Sequence, residues 1–144
     1  MRDMEIAVGS DHAGYAYKTI LIEFLINQGY NVHDCGTFSD ESTDYPDYAH
    51  AVASKVKQGT LGVVICGSGN GVNMTVNKHK GIRSALCWTE EIARLARAHN
   101  NANILAVPAR FVTEEVMFGM MRAFLDTPFE GGRHQNRVNK IDCI

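Results

Sequence analysis

The chain has 144 residues, 45% of them apolar and 21% charged, which suits one domain with a real core and excludes a disordered segment. Its formal net charge of −2 argues against a general nucleic-acid binder, so the basic residues must act locally. No run approaches membrane-spanning length, MRDMEIAVG has no signal-peptide core, and the four cysteines are widely spaced without a CxxC pair, so reduced thiols in a cytoplasmic protein are expected.

Glu5 to Val8 is a strand candidate, followed by Gly9-Ser10-Asp11-His12-Ala13-Gly14. Tyr15 to Gln28 carries apolar residues at Ala16, Ile20, Leu21, Phe24 and Leu25, a helical spacing that Gly29 ends. Tyr30 to Asp34 reads as a second strand, and Gly36 to Asp44 as a polar loop. Pro46 fits the first turn of a helix running to about Lys57. Gly59 closes it before a β-branched run, Leu61 to Ile65.

That third strand ends at Cys66 and meets Gly67-Ser68-Gly69-Asn70-Gly71. Three glycines in five residues allow a sharp turn with several N–H groups facing one concavity, a place for an anion. The next helix, expected from Val72, would add positive potential. A thiol beside such donors is more readily held as thiolate, which suggests a base or nucleophile facing a developing oxyanion. The plainer alternative is an inert buried cysteine in an ordinary turn.

Ile82 to Cys87 is the fourth strand. Thr89 suits an N-cap with Glu90 and Glu91 behind it, and Ile92, Leu95, Ala96 and His99 share one helix face. Ile104 to Val107, ended by Pro108, is the fifth strand, and Thr113 caps a last long helix to about Leu125. The tail from Asp126 holds Gly131-Gly132 and a short helix over RHQNRVNKI. Strands alternating with helices at this rhythm predict a single α/β domain over 1–144, with a doubly wound, five-stranded parallel sheet, helices on both faces and a helical tail. Ligands of such sheets sit beyond the strands' carboxyl ends, which puts Asp11, His12 and the Cys66 loop on one edge.

Nucleotide motifs match poorly. Gly9 to Gly14 has a P-loop gap, but Tyr15-Ala16 stands where Lys and Ser/Thr belong, and Gly67-x-Gly69-x-Gly71 is one residue short of the dinucleotide fingerprint. The six histidines show no HxxxH or HExxH spacing, so a metal site has no sequence support. Arg133 and Arg137 would stack on one helix face beside His134, either as a solvated basic face or as a phosphate ligand pair, with Arg110 as a third.

In combination, GSDHAG, TDYPDYA, ICGSGNG, the run NK…GIRSALC, HNNAN and FEGGRHQNRV resemble the type B ribose-5-phosphate isomerases and the related galactose-6-phosphate isomerase subunits, from Ile6 to Ile141. The resemblance implies a flavodoxin-like sheet and a cofactor-free aldose–ketose isomerase of a phosphorylated sugar. It also implies a homodimer or dimer of dimers. Cys66 would move the proton between C2 and C1, Ser68 would keep a hydroxyl found as threonine in many relatives, and the amides of Gly67, Gly69, Asn70 and Gly71 would stabilise the enediolate. His99, helped by Asp11, would open the sugar ring, with Tyr45 and Asn100 touching the substrate. Arg110, Arg133 and Arg137, with His12 and the adjacent His134, would hold the phosphate. One branch of the family uses a glutamate at the position of Val72 instead of the cysteine; this chain has Cys66 and Val72. Pro108 stands where relatives carry glycine.

The substrate implied is ribose 5-phosphate, with a six-carbon aldose phosphate (allose 6-phosphate or galactose 6-phosphate) or a non-catalytic nucleotide or flavin module as alternatives. His99 ends a helix that re-enters the sheet, so it is expected near the edge opposite Cys66. A two-fold dimer in which each chain completes the other's site reconciles that placement with the implied role.

Overall fold

The computed structural model describes residues 4–57 and 59–143. The start of the segment read as lacking a leader (Met1 to Asp3) and the tail's final Ile144 lie outside the described residues. Five parallel strands form the sheet: β1 (Glu5–Ser10), β2 (Asn31–Asp34), β3 (Thr60–Cys66), β4 (Ser84–Leu86) and β5 (Ile104–Pro108). The helices are α1 (Tyr15–Asn27), α2 (Tyr45–Lys55), α3 (Asn70–Val76), α4 (Glu90–Asn100), α5 (Glu114–Asp126) and α6 (Arg133–Asn139).

The sheet is doubly wound and flavodoxin-like, in the order β2-β1-β3-β5-β4. The last two strands exchange places relative to the flavodoxin order 2-1-3-4-5. The chain leaves β3 through α3, passes over one strand position to β4, and returns through α4 to fill the gap with β5. Outward and return crossovers of one hand put their helices on opposite faces. Accordingly α1, α4 and α5 cover Ile6, Val8, Val63, Ile65, Leu105 and Val107, while α2 and α3 cover Ala7, Val64, Cys66 and Ala106. The strands alternate between these two cores residue by residue.

Local signals explain most boundaries. Thr89 and Thr113 cap α4 and α5 by accepting from the N–H groups of Ile92 and Val116, each at 3.2 Å. Pro46 lies in the first turn of α2, and Gly29 follows α1 at φ +90°. Two helix faces differ from expectation. On α1, Ala16 is exposed and Lys18 is fully buried, because its ammonium meets Asp34 at 2.7 Å. On α4 the buried stripe is Ala93, Ala96 and Ala98, with Ile92, Leu95 and His99 only partly covered. Small side chains on that face let α4 lie close against its neighbours.

Candidate active site

The carboxyl edge of the sheet carries the first cluster. Cys66 ends β3 opposite Pro108 of β5, and its carbonyl accepts from Ala109 N–H at 2.9 Å. Beside it the loop after β1 folds over β3: Asp11 N–H donates to Ile65 O, and Gly14 N–H donates to the Asp11 carboxylate at 3.1 Å. A Cβ on Gly14 would lie 2.6 Å from the Ile65 carbonyl oxygen, so only glycine permits this approach.

The glycine loop works by clearance as well as by turning. Gly69 has φ +75°, and a Cβ there would meet Leu86 at 2.5 Å. At Gly71 a Cβ would meet the Tyr45 ring at 2.5 Å, so that absence lets the tyrosine close over the loop. Helix α3 begins at Asn70, two residues before the sequence suggested, and has only seven residues. The N–H groups of Gly67, Ser68 and Gly69 donate to no protein acceptor among the described residues. Asn70 N–H turns back to the Ser68 hydroxyl at 3.3 Å.

Around these amides lies a cavity of about 420 Å³, lined by Asp11, His12, Tyr45, Cys66, Ser68 and Arg110 among others. His12 Nδ1 accepts from Thr43 N–H at 3.1 Å, which in the neutral ring leaves the proton on Nε2. Two residues after Pro108, the N–H of Arg110 donates to Gly67 O at 3.0 Å, and the Arg110 guanidinium lies 3.0 Å from where a Gly67 Cβ would be. Val72 is fully buried in the core.

The remaining predicted site residues gather elsewhere. His99, in the last turn of α4, stacks on His134 of α6 with ring centroids 4.3 Å apart. Glu130 stands between them, its two oxygens 3.8 Å from His99 Nε2 and 3.5 Å from His134 Nε2. A bond from Glu130 N–H to Ala98 O at 3.0 Å ties this carboxylate to α4. Arg133 and Arg137 stand exposed on α6, which buries none of its residues. Asn100 lines a different hollow with Arg83, Ser84 and Asp142, towards the amino end of β4. None of these five residues lines the Cys66 cavity. Within one chain the predicted site is therefore in two halves.

Against known proteins, residues 6–141 match the family described as Ribose/Galactose Isomerase. The chain belongs to that family. A solved ribose 5-phosphate isomerase from Thermotoga maritima shares 44% identity at a TM-score of 0.96, covering 99% of both chains. The ribose-5-phosphate isomerase B of Mycoplasma genitalium, solved with bound ribulose-5-phosphate, shares 45% identity at a TM-score of 0.94 over 98% of this chain and 95% of the other. Ribose-5-phosphate isomerase B of Escherichia coli is 42% identical over 142 residues, 97% of this chain and 95% of that protein.

In this isomerase-family chain, sequence reasoning missed three participants. Phe111 rims the Cys66 cavity, Thr43 fixes the His12 ring, and Glu130 joins the two histidines. None of the three left a local signal: Glu130 precedes α6 in irregular chain and reaches His134 only through the turn at Gly131 and Gly132. His99, Glu130 and His134 offer donor atoms within 4.8 Å of one another, a set chemically able to hold a divalent cation. The histidine spacing could not reveal it, because the three come from separate elements.

Proposed function

We propose that one domain, residues 1–144, interconverts ribose 5-phosphate and ribulose 5-phosphate through an enediolate, with Cys66 as the base. The observation that carries this reading is the thiol at the end of β3 beside three unengaged amides, in a cavity that also holds Asp11, His12 and Arg110. Cys66 as thiolate takes the C2 proton of the open-chain aldose. The C–H electrons form the C1–C2 double bond, and the carbonyl electrons move to oxygen, where the loop amides of Gly67, Gly69 and Gly71 meet the new charge. Returning the proton to C1 gives the ketose, with the Ser68 hydroxyl serving the exchange between the two oxygens. A positioned base contributes ~10²–10⁴-fold.

Ring opening falls to His99 with Asp11, and phosphate anchoring to Arg110, Arg133, Arg137 and His12, with Tyr45, Asn70, Asn100 and His134 as neighbours. These groups come together only if a second copy supplies His99, Asn100 and the α6 arginines to the Cys66 cavity. A two-fold homodimer, alone or paired into a dimer of dimers, meets that need. Four cysteines with no disulfide among the described residues fit a cytoplasmic setting, and no described helix is long and apolar enough to cross a membrane.

The test is complementation. Mixed Cys66→Ala and His99→Ala chains should recover about a quarter of wild-type activity, since half the dimers are mixed and each holds one intact site. Subunit exchange without recovery would end the shared-site reading. The family description also covers galactose, so initial rates should be compared on five- and six-carbon aldose phosphates, with ribose 5-phosphate expected to be fastest.

A further inference from the structure

A further hollow lies at the opposite edge of the sheet from Cys66. It has a volume of about 670 Å³ and is lined by Lys57, His79, Lys80, Arg83 and Arg97, with no carboxylate among its described lining residues. Leu61, Ile82 and Leu125 supply an apolar wall. It opens beside the first residues of β3, whose seven-residue length separates it from Cys66 by roughly 20 Å.

HNNAN builds this hollow. Asn101, at φ +48°, closes α4 with a left-handed residue and offers both its acceptors to arginines. Its carbonyl accepts from Arg83 Nε at 2.9 Å, and its side-chain oxygen accepts from Arg97 Nη1 at 3.1 Å. Asn103 receives Arg83 N–H at 2.8 Å, and Ala102 O takes a second bond from Arg97 Nη1. Two guanidiniums are thus anchored side by side. The Nη2 of each bonds to no described residue, and Arg97 Nε is buried without a partner. None of Lys57, Lys80, Arg83 or Arg97 forms an ion pair among the described residues. Burial pushes the Arg97 guanidinium below its ordinary range, and the Arg83 charge pushes it the same way.

Like charges fixed together with free donors and no counterion make a preorganised anion site. We infer that this hollow is a second ligand site, for a phosphate-bearing small molecule of up to nucleotide size. The phosphate meets the free Nη2 donors and Lys80, and the remainder of the ligand lies on the apolar wall. The volume falls within the range of small-molecule pockets.

Calorimetric titration of the wild-type protein with inorganic phosphate should show two sites per chain, one in this hollow and one in the arginine clamp proposed above. Arg83→Gln should remove the first while leaving kcat/KM at low phosphate within about twofold, and its amide can still donate to Asn101 O. Lys80→Gln, at an exposed residue outside the core, should weaken the same site at least about fivefold, a test independent of folding. Arg137→Ala should remove the other site only; in that variant AMP should bind at least about fivefold tighter than phosphate, because of the apolar wall. If wild type shows one site and Arg83→Gln removes it, the inference stands and the clamp falls. Phosphate binding unaffected by both Arg83→Gln and Lys80→Gln would overturn it, and AMP binding no tighter than phosphate would overturn the nucleotide-sized ligand.

Discussion

Cys66 and Cys87 are two thiols at the same edge of one sheet. Cys66 is the last residue of β3, and Cys87 follows β4 directly. Both are free and buried. Cys87 belongs to the core under α1, α4 and α5, its sulfur points at Ala85 O at 3.6 Å, and burial pushes its thiol up to about 12. Cys66 lies on the other face and opens into the cavity beside the unengaged amides of Gly67, Ser68 and Gly69. The position at a strand end is shared. What differs is the segment that follows, a donor-rich glycine loop in one case and Trp88 with the α4 cap in the other. Under the proposed mechanism it is the loop, rather than the cysteine itself, that sets Cys66 apart.

The sharpest test is activity. Cys66→Ala should lower turnover by ~10²–10⁴-fold with exchange of the C2 proton into deuterated solvent lost in parallel. Cys87→Ala should leave turnover within about threefold; equal losses in the two variants would erase the contrast.

The next test is alkaline stability. Cys87 is neutral in both the folded and unfolded chain below the ordinary thiol value of 9.0, so there it adds no pH dependence. Between that value and about 12 the unfolded chain has released the proton and the folded chain has kept it. Stability should therefore fall as pH rises through this window, by up to about 1.4 kcal/mol per unit. Denaturant titrations at several pH values should show a shallower slope in Cys87→Ala, and an unchanged slope would remove the burial argument.

Smaller effects probe the frame around Cys66. Gly14→Ala forces a Cβ to 2.6 Å from a backbone carbonyl oxygen that cannot swing away, and should cost about 1–3 kcal/mol in chemical denaturation. Ser68→Ala should reduce turnover by about tenfold or less, because the backbone donors stay in place. A loss matching that of Cys66→Ala would make the hydroxyl, not the amides, the principal partner.

Much of this was legible in the chain because it depends on local chemistry. Threonine caps at Thr89 and Thr113, Pro46 opening α2, and the glycine loop after a β-branched strand all announce themselves within a few residues. What escaped was non-local. Lys18 looks like a surface residue until Asp34, sixteen positions away, takes its ammonium inside. The exchange of β4 and β5 leaves no mark in periodicity, since either order buries the same strands. The His99–Glu130–His134 group could not be read from spacing, because α4 and the tail meet only in space. The stacking of His134 on His99 also explains why His99, Arg133 and Arg137 stand away from Cys66 within one chain.

The place of β5 beside β3 has a consequence for how the protein is made. Cys66 reaches its strand partner Pro108 only after some forty further residues have been synthesised. At about 5–20 residues per second that is a delay of roughly 2–8 s, during which β3 has no neighbour on that side and its terminal thiol is uncovered. The nascent chain thus carries the Cys66 thiol bare until β5 arrives, so oxidants and electrophiles met during translation reach it more easily than in the finished protein, where it is buried.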